Sequence, residues 1–439
     1  MEEKKPKNIS RRSFIEKSAL LGAAGLVSAH MLSSCNKTKT NAELGLPTLL
    51  DQAPDGKKLK VGLVGCGNRG TGALLNFMTA GPNLEVLSLA DVFEDKVLDC
   101  QKKLNEHKIN IESKNCFSGF DAYKQLLDTD VDVVILATPP HFRPEHLEAC
   151  IIAKKHVFME KPACVDPVGA RSIMATSKKA AALGLTIATG TQRRHQKNYI
   201  ETYKQVMAGA IGQPVSARAW WLQTHVWFRT REEGWSDMEY MIRNWNNFCW
   251  LCGDHFLDTH VHNIDVINWF LGKHPESAVG FGGRARRLTG DQYDFFSVDF
   301  DYGDGLHSHS MSRQIDGCAN SRGETVMGTE GFTNCENTIY NLDGTVKWKY
   351  DDSKDLSPYV QEHIDFVTAL RTNQPYQEAE RTAVSTLTAI IGRTAAYTGN
   401  KITWEEMMES SMKLGPTEYV MGPVDMKFEV PVPGIQHKI

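Results

Sequence analysis

Short, unbroken apolar runs alternate with stretches of helical period through the first half of the chain. The apolar runs at residues 60–65, 84–90, 131–137, 156–159 and 185–188 read as buried strands. Between them, residues 71–78, 95–107, 121–128, 144–154 and 168–182 carry the spacing of amphipathic helices. Strand and helix alternating at this length predict a doubly wound parallel sheet covered on both faces. After Gln192 the pattern changes to longer runs of alternating character at 214–222, 277–286, 293–302, 306–314, 324–328 and 336–349. These predict antiparallel strands, joined by turns such as 301–305 and 342–344. One helix over 256–271, stopped by Gly272, interrupts them, and two more are expected at 358–371 and 382–397. The expected fold class is α/β: a Rossmann-type parallel sheet followed by an α+β domain with a large, mainly antiparallel open sheet.

With 439 residues, 41% hydrophobic and 23% charged, the chain has the balance of a folded globular protein of two domains. The net charge of −4 conceals an asymmetry: residues 1–34 carry six Lys/Arg against three Asp/Glu, so the body is more acidic than the total. That excludes the basic footprint of a nucleic-acid binder. The N-terminus places Arg11-Arg12 before Phe14 and Ile15, then a modest apolar stretch, then Leu32-Ser33-Ser34-Cys35. This order resembles a twin-arginine export signal ending in a bacterial lipoprotein box, in which the Cys35 sulfur is acylated. The apolar stretch at 19–32 is shorter than the ~20 residues a spanning helix needs, so the expected membrane attachment is through Cys35 alone. The expected location is periplasmic or outer-membrane-associated. The parsing that follows is signal 1–35, linker 36–57, dinucleotide domain 58–190 and substrate and oligomerisation domain 191–439. Nine cysteines outside the signal, at scattered spacings, give no disulfide framework, and Cys249 and Cys252 read as two buried thiols on one helical turn.

The first apolar run ends in Gly65-Cys66-Gly67-Asn68-Arg69-Gly70. Gly65 permits the tight turn, Gly67 lets backbone approach a pyrophosphate, and Gly70 lets the following helix sit close to the strand with its N-terminal amides toward the anion. Asp91, at the end of the second run, is placed to accept the ribose hydroxyls, which favours NAD over NADP; Arg69 is the one neighbour that could soften that preference. Later in the chain, Asp258, His262 and Asp265 stand at i, i+4 and i+7 of the expected helix and share one face. His255 could join Asp258 and His262 as a metal-ligand pattern, and a purely structural role is the other alternative. With a dinucleotide site already present, no metal is expected, and the polar face is read as lining a cleft.

These stretches, together with Ala137-Thr138-Pro139-Pro140-His141 and Glu160-Lys161-Pro162, resemble the glucose–fructose oxidoreductase and inositol dehydrogenase family (Gfo/Idh/MocA) from about residue 58 to 403. The resemblance implies that Lys161, Asp258 and His262 surround the reacting carbon, that Glu160, Thr138 and Pro139 border the nicotinamide ribose, and that Asn68, Arg69, His141 and Lys161 also belong to the cofactor site. Gln192, Arg194, Tyr199, His260 and Asp265 are the candidate substrate contacts. Oxidising a secondary alcohol requires a proton acceptor and a cation for the developing alkoxide; His262 suits the first role and Lys161 the second, with Asp258 orienting the imidazole or holding a substrate hydroxyl. The Trp cluster at 220, 221, 227, 235, 245 and 250 is equally suited to a sugar-binding face and to core or an oligomer surface, and His307 and His309 share one strand face. The expected function is hydride transfer between a tightly held NAD and a secondary hydroxyl of a sugar or glycoside, with C3 a candidate position. A redox-neutral NAD-dependent glycosidase and a non-catalytic sugar sensor are the alternatives. A homo-oligomer is also expected from the resemblance.

Overall fold

The computed structural model describes residues 39–426 and 428–435, so the signal and Cys35 lie outside the described residues. The first sheet contains six parallel strands: β1 (Leu59–Val64), β2 (Leu84–Asp91), β3 (Cys116–Ser118), β4 (Val133–Leu136), β5 (His156–Met159) and β6 (Ile187–Thr189). Their order is β3-β2-β1-β4-β5-β6, so the chain reverses direction across the sheet between β1 and β4. Such a switch point opens a crevice at the strands' carboxyl ends, where ligands of this fold bind. Val61, Leu63, Ile135 and Phe158 are fully buried, each contributing about 1.5–3 kcal/mol of apolar burial.

One face of this sheet is covered by the helices Asn68–Thr79 and Glu94–Glu106 and, from far downstream, by Pro358–Thr372 through Ile364, Phe366 and Val367. Residues 358–372 therefore pack on the nucleotide sheet although they belong to the stretch 191–439. The expected linker is also packed: Ala53 is buried, Gln361 donates to the Leu50 carbonyl at 3.0 Å and Arg371 to that of Pro54 at 2.5 Å. Its Leu46, Leu49 and Ala53 give residues 40–57 an apolar side that the polar composition hid.

The second sheet has nine strands: β7 (Pro214–Gln223), β8 (Ser277–Gly283), β9 (Phe295–Asp301), β10 (His307–Gln314), β11 (Ser321–Gly328), β12 (Phe332–Thr333), β13 (Thr338–Tyr340), β14 (Val346–Lys349) and β15 (Ile402–Thr403). Their order is β14-β13-β12-β11-β7-β10-β9-β8-β15, antiparallel except that β7 and β10 run parallel, with His309 opposite Arg218. The long helical excursion between β7 and β8 makes that parallel pair possible. The inner face packs on the helices Val261–Leu271 and Ala379–Thr398, where Phe256 and Phe300 close so tightly on Gly392 that an added Cβ would stand 2.7 Å from Phe300. The run expected at 336–349 is a hairpin whose turn falls at the expected 342–344, and the helices Lys197–Met207 and Asp237–Arg243 had no sequence expectation. Among the described residues no helix is long and apolar enough to cross a membrane.

Candidate active site

Local sequence builds the nucleotide end. Gly65 has φ +101°, and a Cβ there would stand 2.6 Å from the Ala137 carbonyl carbon; a Cβ on Gly70 would stand 1.9 Å from the Gly65 oxygen. A Cβ on Gly67 would meet nothing within 4 Å, so that glycine leaves open space beside the first turn of the helix Asn68–Thr79. This is the cradle a pyrophosphate would fill. Asp91 accepts from the backbone N–H of Cys66 at 2.7 Å and of Phe93 at 3.0 Å, and burial raises its pKa. A cavity of about 780 Å³ runs from the loop past Asp91, Thr138 and Pro139. Its far wall comes from the second half of the chain: Trp227, Phe228, Arg243, Trp245 and Tyr419. Arg243 makes a bidentate pair with Asp95 at 2.8 and 3.0 Å and lies 3.8 Å over the Phe93 ring. The loop, the acid and the open volume fit a dinucleotide.

Two expected contacts behave differently. Arg69 lines the cavity but is held by Glu160 at 2.5 Å and Glu362 at 3.1 Å, so its charge is committed and does not offset Asp91 toward a 2′-phosphate. His141 turns away from the cavity: its Nε2 shares a 2.6 Å hydrogen bond with the Tyr419 hydroxyl and its ring meets Trp250 edge-on. Burial, with the Lys413 charge, lowers its pKa to about 4. Thr138 lies within 3.3 Å of His146, and Asn68 accepts from Lys103 at 3.2 Å.

At the other end, long-range packing assembles the side chains. Lys161, at the carboxyl end of β5, donates to the Asp258 carbonyl oxygen at 2.5 Å and stands 3.6 Å from its carboxylate. Asp258 thus steadies Lys161, in place of the expected role of orienting the His262 ring. The half-buried His262 ring stacks on Trp221 at 6.1 Å and 28°. Burial first, then the charges of Lys161, Arg193, Arg69 and Arg322, push its pKa well below 6.5, so the imidazole is neutral near pH 7.

The expected continuous helix is broken. A single turn, His255–Asp258, is followed by Val261–Leu271, and His260 N–H reaches back five residues to His255. This wider turn sends His260 into the core, where its Nε2 lies 2.7 Å from Ser310 Oγ. His260 is therefore not a substrate contact. His255 is likewise buried, between Asp254 at 2.9 Å and Ser312 at 3.0 Å, so it does not join Asp258 and His262 around a metal. Asp265 receives both arms of Arg194, at 2.8 and 2.9 Å, and a hydroxyl from Ser385. Arg194 and Asp265 satisfy each other rather than a ligand. Tyr199 is buried with its hydroxyl on Glu324, which also pairs with Arg193. Gln192 is buried with its Oε1 unpartnered among the described residues. Around Trp221 stand Arg193, from the 192–195 stretch, and Arg322, with Glu324 pairing Arg193 and Glu362 pairing Arg69; Arg322, Glu324 and Glu362 had no local motif to flag them.

Residues 59–188 match a family described as "Oxidoreductase family, NAD-binding Rossmann fold". Residues 199–333 match its C-terminal domain, so the two cover more than half of the chain. The chain belongs to the Gfo/Idh/MocA family. Among relatives of this Gfo/Idh/MocA protein, the myo-inositol 2-dehydrogenase of Thermotoga maritima is 25% identical over 51% of this chain and 58% of its own length. The match thus spans little more than half of that relative. The scyllo-inositol dehydrogenase of Lactobacillus casei, solved with NAD(H) and scyllo-inositol, superposes with a TM-score of 0.60 at 20% identity, over 79% of this chain and 99% of its own. The aldose-aldose oxidoreductase of Caulobacter crescentus, solved with glycerol, gives 0.63 at 17%, over 79% and 99%. These two likenesses establish the shared fold.

The remaining aromatic and histidine candidates divide by location. Trp227 and Trp245 face the nucleotide cavity, Trp221 faces His262, and Trp250 is core. Trp220 donates to Ser321, while Trp235 lies 5.4 Å from the Arg243 guanidinium. His307 and His309 sit on the exposed side of β10, against Asp299 and Ser297. Cys249 and Cys252 are free, buried thiols.

Proposed function

We propose that this protein is an NAD-dependent oxidoreductase that moves hydride between a tightly held nicotinamide and a secondary hydroxyl, such as C3, of a sugar or glycoside. The observation that carries the reading is a neutral imidazole, His262, within the electrostatic reach of a lysine ammonium that Asp258 anchors, next to a Glu160 that pairs with Arg69 of the glycine loop. When bound, NAD supplies the hydride acceptor. The loop at 65–70, Asp91, Thr138 and Pro139 line the cavity and would hold it, and Glu160, paired with Arg69 of that loop, would stand on the nicotinamide side. His262 takes the hydroxyl proton, which a neutral ring can do and an imidazolium cannot. Lys161 places its charge against the developing alkoxide, where a fixed cation stabilises the transition state more than the alcohol. Asp258 keeps that ammonium in place.

The carbohydrate substrate, a homo-oligomeric state and export as a lipoprotein anchored through Cys35 complete the proposal. NAD(H) released by denaturing the purified protein, followed by reduction of the bound nucleotide when a sugar panel is added, is the expected result. Protein that neither carries nor binds NAD and transfers no hydride sinks the reading. Hydrolysis of a chromogenic glycoside with no net change in bound nucleotide would replace it with the glycosidase. Fatty-acid labelling of the parent, absent in Cys35→Ala, is the expected outcome for the anchor.

A further inference from the structure

The four cations whose charge reaches His262 are Lys161, Arg193, Arg69 and Arg322. Three of them are already matched by acids. Lys161 stands beside Asp258, Arg193 is paired with Glu324, and Arg69 lies between Glu160 and Glu362. Arg322 makes no ion pair or side-chain hydrogen bond among the described residues; its recorded contact is the guanidinium 5.5 Å over the Trp221 ring.

Strand register says which way it faces. Arg322 pairs with Trp221 across β11 and β7, and strand alternation puts it on the same side as Glu324 and Val326, which are buried. That is the side packed by the helix Val261–Leu271, whose His262 stacks on the same Trp221. Arg322 is exposed at this end of the sheet, so its charge remains hydrated and free to bind. The half-buried Trp221 therefore brings the proton acceptor and an unmatched planar cation to one aromatic side chain. A guanidinium fork is matched by a carboxylate, and an indole by the C–H face of a pyranose.

Resting on the proposed dehydrogenase reading, we propose that the substrate is an acidic sugar, a uronate or uronide, whose carboxylate pairs with Arg322 while its ring lies along Trp221. A neutral sugar would leave the fork unused.

The test compares kcat/KM of the NAD-loaded full-length protein for methyl glucuronide, methyl glucoside and glucose 6-phosphate. The expected preference for the uronide over the neutral glycoside is about tenfold or more, carried mainly in KM and weakened by salt. Arg322→Gln should collapse that ratio toward one, and Arg322→Lys should recover only part of it, because the point charge lacks the fork. Exposure of Arg322 makes both variants compatible with folding. Equal or better turnover of the neutral glycoside, an unchanged ratio in Arg322→Gln, or preference for the phosphorylated sugar over the uronide overturns the inference while leaving the dehydrogenase reading standing. Parent protein that carries NAD but turns over no sugar of any charge removes that reading and this inference together.

Discussion

The two ends of the site are built by different means. At the nucleotide end, backbone does the binding: three glycines set clearances and a strand-end acid accepts two main-chain amides. At the other end, side chains from β5, β7, β11 and the broken helix meet only because two domains fold against each other. A site made largely of backbone depends on the space its glycines leave, for the fold at Gly65 and Gly70 and for a ligand at Gly67. A side-chain site tolerates substitution structurally while its chemistry fails.

The largest expected effect is at the end that holds Lys161 and His262. His262→Asn should lower kcat by about 10²–10⁴, the usual range for a lost proton acceptor, with circular dichroism and NAD content unchanged. In the parent, alcohol oxidation should stay level as pH falls through the ordinary histidine range near 6.5 and decline only well below it, because burial and the nearby cations keep the ring neutral. An acid limb at 6.5 would contradict that environment. Next, Lys161→Met should cost about 10²–10³ in kcat, measured with the same substrate.

The nucleotide end should separate its glycines. Gly67→Ala meets open space, so the chain should fold with its melting temperature near the parent's while NAD affinity falls, read by nucleotide content after gel filtration. Gly70→Ala would drive a methyl to 1.9 Å from the Gly65 oxygen and should lower stability itself. Equal behaviour of the two would erase the distinction between ligand clearance and packing clearance.

The smallest effects belong to the frame behind the site. His260→Ala should cost about 1–3 kcal/mol of stability by stranding Ser310 in the core, seen in denaturant unfolding, with a far smaller loss of kcat than His262→Asn. His195 is held between Asp365 at 2.7 Å and Glu378 at 3.1 Å; burial opposes its charge, but these acids prevail and raise its pKa to about 10. Its folded pKa lies above the unfolded value, so its stabilisation is complete below about 6.5 and lost as pH rises through about 10. Thermal unfolding across that window should show the decline, and His195→Gln should flatten it.

His260 and His262 show how far sequence reaches. Both stand on a stretch of helical period, and spacing placed His262 with Asp258 and Asp265 on one face. One wider turn, with His260 drawn to Ser310 of a distant strand, sends His260 into the core and leaves Asp265 to Arg194. The partners are 50 and 71 residues away, beyond any local pattern. Arg322 was similarly invisible: on its strand it is one more exposed charge, and it gains meaning only opposite Trp221.

The chain's own order of residues determined the parallel sheet, the glycine turn with its acid, and Lys161 at a strand's end, because each is set by backbone geometry within a few residues or by the period of burial. Tertiary structure alone decided which polar side chains face the cleft, which neutralise one another, and which helix from the far end covers the first sheet. Those outcomes depend on which charges and hydroxyls become neighbours across the fold, and a buried polar group takes whatever partner the packing brings to it.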